Sequence, residues 1–260
     1  MRTTKLSVNL NKFALIRNSR DTNTPNLLTM ARRAIEAGVD GITVHPRPDE
    51  RHTRYNDVVE LSRLCREYPH IEFNVEGYPG PAFMDVVLRT RPDQCTLVPD
   101  GPDQKTSDHG CDMVNDAATL YPVIKRLTDA GIRVSCFVDA DEANIDAAPL
   151  SGTQRVELYT EPWARAYATE NEHHWYCRFR EAALRARKNG LGINAGHDLN
   201  LTNLAAFLTI PAILEVSIGH AIVVESFDFG FEETLRRYLA ILDAAGAPPA
   251  NDSDYGTSGT

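Results

Sequence analysis

Apolar residues along the chain fall into two alternating patterns. Short runs rich in β-branched residues, of strand length, occur at Leu6–Leu10, Ile42–Val44, Ile71–Glu76, Gln94–Val98, Arg133–Val138, Arg155–Tyr159, Leu191–Asn194 and Ile213–Ile218. Between them lie longer stretches of helical character at Pro25–Ala37, Asn56–Glu67, Pro81–Thr90, Ala117–Ala130, Glu170–Asn189, Asn200–Thr209 and Phe231–Ala245. The first helix carries its own punctuation, with Thr24 as cap, Pro25 at the first helical position and Gly38 as the stop. Ile42–Val44 has no polar face, as expected of a strand in a parallel sheet covered on both sides. Eight strands alternating with helices, at roughly thirty-residue spacing, predict a closed (β/α)₈ TIM barrel, an α/β single domain. That domain spans 1–246, and the Pro-, Gly-, Ser- and Asp-rich 247–260 reads as a disordered tail.

Composition narrows the picture. A chain of 260 residues with 42% hydrophobic content suffices for one such barrel. Its net charge of -9 and pI near 5.4 disfavour nucleic acid and anionic membrane surfaces as partners. An anionic substrate must then be held by a local cluster of cations. The five cysteines show no CxxC spacing, and no apolar run is long enough to span a bilayer. Reduced thiols in a cytoplasmic protein are the expectation.

Chemistry gathers at the strand ends, where the crevice of a parallel barrel opens. His45, Arg47, Arg51 and His52 follow the second strand within eight residues. Asn9, Asn11, Lys12, Arg17 and Arg20 follow the first, and His197 and His220 end the seventh and eighth. Alternation puts Glu72, Asn74 and Glu76 on one face of the third strand, and Glu157 lies within the sixth. Such a mouth suits repeated proton transfers on an anionic substrate. Arg47 and His52, with Arg20 nearby, form one candidate phosphate clamp. Gly196, Gly219 and His220 form another, at the usual barrel position after strands seven and eight. His45, Glu72, His197 and His220 are metal-ligand candidates by residue type. No HxH or HExxH spacing is present and arginines flank His45, so no metal is expected. The polar stretch from Pro99 to Asp112, with Thr106-Ser107-Asp108-His109-Gly110, has the content of a closing loop.

Several segments together resemble the pyridoxine 5'-phosphate synthase family: Val8-Asn9, Leu15-Ile16-Arg17-Asn18-x-Arg20, Gly41-Ile42-Thr43-Val44-His45-x-Arg47-x-Asp49-x-Arg51-His52, Leu97-Val98-Pro99, Val138-Asp139-Ala140-Asp141, Val156-Glu157-Leu158, Asn194-Ala195-Gly196-His197 and Ile218-Gly219-His220-Ala221. The resemblance runs from Leu6 to about Leu242. It implies a homo-oligomeric barrel that condenses 1-deoxy-D-xylulose 5-phosphate with 3-amino-2-oxopropyl phosphate, releases inorganic phosphate and closes a pyridine ring without a cofactor. It further implies His45 and Glu72 as proton acceptors, His197 as proton donor and Glu157 as transition-state stabiliser. Asn9, Arg20, Gly219 and His220, with Asp198 adjoining, would hold the amino ketone phosphate. Arg47, His52 and Thr106 would hold the pentulose phosphate.

The chain departs from that pattern in places. Asn11-Lys12 replaces Asp-His near the pentulose phosphate, Tyr159-Thr160-Glu161 replaces His-Thr-Gly, Asp198 replaces glycine, and Val224-Glu225 replaces Gly-Arg. Two other functions compete: an aldolase or isomerase on a single sugar phosphate, for which Lys12 is the only strand-end Schiff-base lysine, and a non-catalytic phospholigand-binding protein.

Overall fold

The computed structural model describes residues 2–99 and 107–246. Eight parallel strands close into a barrel in chain order: β1 (Lys5–Asn9), β2 (Gly41–Val44), β3 (Glu72–Gly77), β4 (Gln94–Leu97), β5 (Arg133–Val138), β6 (Arg155–Tyr159), β7 (Gly192–Gly196) and β8 (Ile213–Ile218). The helices are α1 (Asn11–Asn18), α2 (Leu27–Glu36), α3 (Tyr55–Arg66), α4 (Pro81–Thr90), α5 (Met113–Asp129), α6 (Glu142–Ala147), α7 (Glu161–Ala166), α8 (Glu172–Lys188), α9 (Leu204–Phe207), α10 (His220–Phe229) and α11 (Phe231–Ala245). The expected (β/α)₈ barrel is therefore present. The expected tail at 247–260 lies outside the described residues.

Strand alternation divides the core in two. Outward side chains such as Val8, Ile42, Val75, Val156 and Val216 are fully buried together with Leu61, Phe179 and Leu235 of the helices. Inward side chains are mostly polar and bond across the barrel. Ser7 Oγ and Thr43 Oγ1 are 2.6 Å apart, Asn74 Nδ2 donates to Thr43 Oγ1 (3.3 Å), Thr96 Oγ1 donates to Asn74 Oδ1 (3.1 Å), and Asn194 Nδ2 donates to Gln94 Oε1 (3.3 Å). Barrel interiors are more often filled by branched aliphatics. Here hydrogen bonds offset the cost of burying polar groups.

Local chemistry explains where the helices differ from expectation. The first predicted helix begins two residues late, because Asn26 rather than Thr24 caps α2 by accepting from Thr29 N (2.9 Å). Asn200–Thr209 is mostly not helical: Asn200 Oδ1 accepts from Thr202 N and Asn203 N (2.9 and 3.0 Å), and this turn delays the helix to α9. The short α1, α6 and α7, and α10, whose polar residues do not gather on one face, carry little amphipathic signal and lie outside the helices expected from sequence. No helix among the described residues is long and apolar enough to cross a membrane.

Candidate active site

β1 stops at Asn9, whose Oδ1 accepts from Asn11 N (3.0 Å) and so starts α1 directly at the barrel rim. Lys12 and Leu15, three residues apart on that helix, then face the same way, into the mouth. Asn11 Oδ1 accepts from His45 N (2.8 Å) and Thr53 Oγ1 (2.9 Å), stitching α1 to the end of β2. These bonds need only an acceptor oxygen, which an amide provides as well as the carboxylate of the family pattern. Further along α1, Arg17 makes a buried two-pronged ion pair with Asp57 (2.7 and 2.9 Å) at the start of α3. Asn18 Nδ2 donates to the carbonyls of Glu50, Arg51 and His52 (3.2, 3.1 and 2.8 Å), so α1 holds the cationic loop in shape.

At the opposite side of the mouth, Gly219 leads from β8 into α10. A side chain there would meet Asn9 at about 3.0 Å, so glycine allows the two strand ends to close together. Gly219, His220 and Ala221 line the cavity, which brings the amino end of a ten-residue helix to it. Gly196 serves another purpose. A Cβ at that position would fall 2.3 Å from Glu157 Oε1, and its absence makes room for the Glu157 carboxyl.

The resulting cavity, of about 390 Å³, is lined by Asn9, Asn11, Lys12, His45, Arg47, His52, Glu157, His197, Asp198, Gly219 and His220 among the expected site residues. Glu72 requires a correction. It pairs in register with Gly41 at the amino end of the barrel, with Arg133 as its ion-pair partner and Lys5 Nζ 3.7 Å away, and it does not line the cavity. Glu76 lines it instead, one residue beyond Val75, which pairs with Val44. Alternation put both carboxylates on one face, which proves to be the interior one, but their depths differ by four residues, roughly 13 Å of strand. Arg20 also falls outside the cavity lining: it follows α1 on an exposed bend, its N bonded to Arg17 O (3.3 Å). Thr106, with half of the expected closing loop, lies outside the described residues; Ser107 lines the cavity. Sequence reasoning also gave no role to Arg51 or Ser217, which line the cavity, or to the anchors Arg17 and Asn18. The motif Leu15-Ile16-Arg17-Asn18 had marked the two anchors.

Electrostatics differentiate the groups. Glu157 is 2% exposed; burial, then the adjacent Glu76, push its carboxyl well above the ordinary range, which favours its protonated form. Asn9 Nδ2 donates to Glu76 Oε2 (3.2 Å). Burial, followed by the charges of His52, Arg47 and Arg51, holds His45 well below the usual imidazole range and therefore neutral. His52 is lowered to about 4, by burial and then by Arg47 and Lys12. His197 Nδ1 is 2.9 Å from Asp198 Oδ2, and its ring meets Tyr159 edge-on at 5.0 Å. Glu225, one of the departures, acts away from the mouth: it accepts from Leu201 N (3.0 Å) and from Tyr238 OH (2.5 Å), tying the loop after β7 to α11. Among the described residues no three His, Cys, Asp or Glu side chains are grouped to share a metal ion.

A closed parallel barrel whose mouth combines a neutral imidazole, a carboxyl shifted toward its protonated form and clustered cations defines an acid–base site for anionic substrates. The chain belongs to the family described as pyridoxal phosphate biosynthesis protein PdxJ, whose profile matches residues 6–244. Similar curated proteins include the pyridoxine 5'-phosphate synthases of Parabacteroides distasonis, 50% identical over 242 residues (93% of this chain, 100% of the relative), and Albidiferax ferrireducens, 48% identical over 246 residues (92% and 98%). Among solved structures, 3-hexulose-6-phosphate synthase from Salmonella typhimurium has a TM-score of 0.65 at 14% identity, covering 93% of this chain and 100% of that one. At that identity the likeness concerns the fold alone.

Proposed function

We propose that this protein is a pyridoxine 5'-phosphate synthase that joins 1-deoxy-D-xylulose 5-phosphate to 3-amino-2-oxopropyl phosphate, forming pyridoxine 5'-phosphate and inorganic phosphate without a cofactor. The observation that carries the reading is that one cavity faces two differently built clusters suited to anions, with His45, Glu76, Glu157 and His197 also in its lining. Lys12, Arg47, Arg51 and His52 suit the pentulose phosphate through charge-assisted bonds. Asn9, Gly219, His220 and the amino end of α10 suit the phosphate of the amino ketone.

Imine formation, phosphate elimination, ring closure and dehydration each move a proton, and one group cannot serve all of them. His45, held neutral, is a base with a free lone pair. Glu76 takes the second proton-acceptor role, the one expected of Glu72. His197 is the donor. Glu157, held protonated, stabilises developing negative charge by donating a hydrogen bond from a carboxylic acid.

A homo-oligomer is part of the proposal, supported by exposed apolar side chains on α1 and α10: Leu15, Ile16, Val224 and Phe227, the last 81% exposed. A reducing cytoplasm suits the five free thiols, four of them buried. The test of function is to mix the purified protein with both substrates in chelator-treated buffer and follow pyridoxine phosphate absorbance and phosphate release together. Stoichiometric appearance of both products is expected. Phosphate release without a pyridine product, or a borohydride-trapped adduct on Lys12 with a single sugar phosphate, would replace the proposal with lyase or aldolase chemistry.

A further inference from the structure

Resting on the assignment of His197 as proton donor, we propose that Asp198 is a positioning residue, whose carboxylate holds the His197 ring by Nδ1 and confines proton exchange to Nε2.

The geometry is specific. Asp198 Oδ2 lies 2.9 Å from His197 Nδ1. The hydrogen bond from His197, set against partial burial, holds the Asp198 carboxyl below its ordinary range, with His220 and Lys12 adding to the effect. An ionised carboxylate can only accept, so Nδ1 must carry the hydrogen. Backbone conformation adds a second observation. His197 and Asp198 have φ values of 90° and 61°, two consecutive non-glycine residues in the left-handed region. Such a conformation persists only where the surroundings over-determine it. Here Thr160 Oγ1 donates to the carbonyls of both Gly196 and His197, and Asn203 Nδ2 donates to Asp198 O (3.2 Å). The loop is thus shaped to turn one side chain onto the other.

The groups facing the pair come from several elements: Tyr159 of β6 against the ring, and Lys12 of α1 and His220 of α10 acting on the carboxylate. The Asp198 side chain is 40% exposed at the cavity wall, so the contact strengthens when bound substrate covers it. In the transfer itself, the Nε2–H bond of the imidazolium breaks and an O–H bond forms on the substrate oxygen, the electron pair staying on Nε2. Asp198 takes no proton. The ring is left as the Nδ1–H tautomer, ready to be recharged at Nε2 for the next step.

The test uses the full-length protein with Asp198→Gly and Asp198→Asn. Glycine adopts positive φ freely, so the first variant is expected to fold, which circular dichroism verifies. Imidazole ¹⁵N shifts of His197, assigned by their loss in His197→Gln, should report the Nδ1–H tautomer as the main neutral form in the wild type and Nε2–H in Asp198→Gly. Turnover should fall roughly ten- to a hundredfold in Asp198→Gly, less than the roughly 10⁴-fold seen when the orienting aspartate of a buried Ser-His-Asp triad is replaced, because this pair is partly exposed. KM for both substrates should stay within about twofold, since a carboxylate engaged with His197 is given no part in holding either phosphate by this proposal. Asp198→Asn, which can still present an acceptor oxygen, should recover part of the loss. The same tautomer in wild type and Asp198→Gly, or a raised KM with unchanged kcat, would overturn the proposal in favour of a spacer or a substrate contact. The tautomer measurement needs no substrate. A wild type that forms no pyridoxine 5'-phosphate would therefore defeat the reading of function while the His197–Asp198 contact was judged separately.

Discussion

The two ends of the barrel interior are built from similar parts and behave differently. At the mouth, Glu76 and Glu157 meet in a cavity, with His45, His197 and Lys12 around them. At the floor, Glu72 and Glu215 meet among Lys5, Arg133 and Arg155 and do not line the mouth cavity. In both places crowding separates the carboxyls. Burial and then Glu76 push Glu157 upward at the mouth, while burial and then Glu72 push Glu215 upward at the floor. Burial also acts against ionisation of Glu72, but the Arg133 guanidinium prevails and its net direction is downward. A perturbed carboxyl pair is therefore no mark of catalysis by itself. In the proposed function, access to substrate is what separates the Glu76–Glu157 pair from the Glu72–Glu215 pair.

The sharpest way to break this comparison is to apply one substitution to both ends. Glu76→Gln should lower kcat by roughly 10²- to 10⁴-fold, the usual worth of a positioned acid or base. Glu72→Gln should leave kcat of the folded protein within a few-fold, as steady-state assays on both variants will show. Equal losses at the two ends would mean that the floor is coupled to the chemistry.

Next in size is stability. Glu72→Ala leaves Arg133 and Arg155 short of a counter-charge, and breaking a buried ion pair costs about 3–5 kcal/mol. Glu215, which shares a hydrogen bond with Glu72, can release its proton and supply part of the missing charge. The loss in urea unfolding should accordingly lie near the lower figure, about 3 kcal/mol. A change below about 1 kcal/mol would show that the floor behaves like a surface ion pair.

Lys12→Ala sharpens the picture of the mouth. If Lys12 binds the pentulose phosphate, its removal should raise KM for that substrate roughly ten- to a hundredfold, by one lost charged hydrogen bond, and leave KM for the amino ketone nearly unchanged. Equal KM values for the two proteins would place the ammonium in solvent.

The smallest effect is a pH dependence. With its native pKa raised well above the ordinary value, Glu157 keeps its proton in the folded state after the unfolded carboxyl has lost its own near pH 4.3. Its contribution to stability is thus fully present below that pH and is lost as pH rises through the native pKa. Glu157→Gln has no proton to lose, so its stability should decline less than the wild type's between pH 5 and 8. It should also retain more turnover than Glu76→Gln, because an amide still donates a hydrogen bond. A steeper decline for the mutant would contradict the protonated state.

The barrel was legible because each strand is short and apolar on its outward face, as in Val156-x-Leu158 and Ile42-x-Val44. That Glu72, Asn74 and Glu76 share one face of β3 was legible too, since they alternate with apolar residues. Depth was not: alternation identifies the side of a strand, and only pairing with a neighbour identifies the level. The pairing of Val44 with Val75 puts Glu76 opposite His45, in a register that no local pattern encodes. The anchors Arg17 and Asn18 escaped for a related reason. Their partners lie 32 to 40 residues further along the chain, beyond the reach of helical or strand periodicity.

The contact between Gly196 and Glu157 constrains the order in which this chain can change. With the Glu157 carboxyl in place, Gly196→Ala would put a methyl carbon 2.3 Å from an oxygen. The reverse order is open: Glu157→Asp withdraws the carboxyl by one methylene, after which a methyl at 196 meets a gap. The two positions form a ratchet along any mutational lineage. Among descendants, a side chain at 196 should appear only where the acid at 157 has already been shortened or lost.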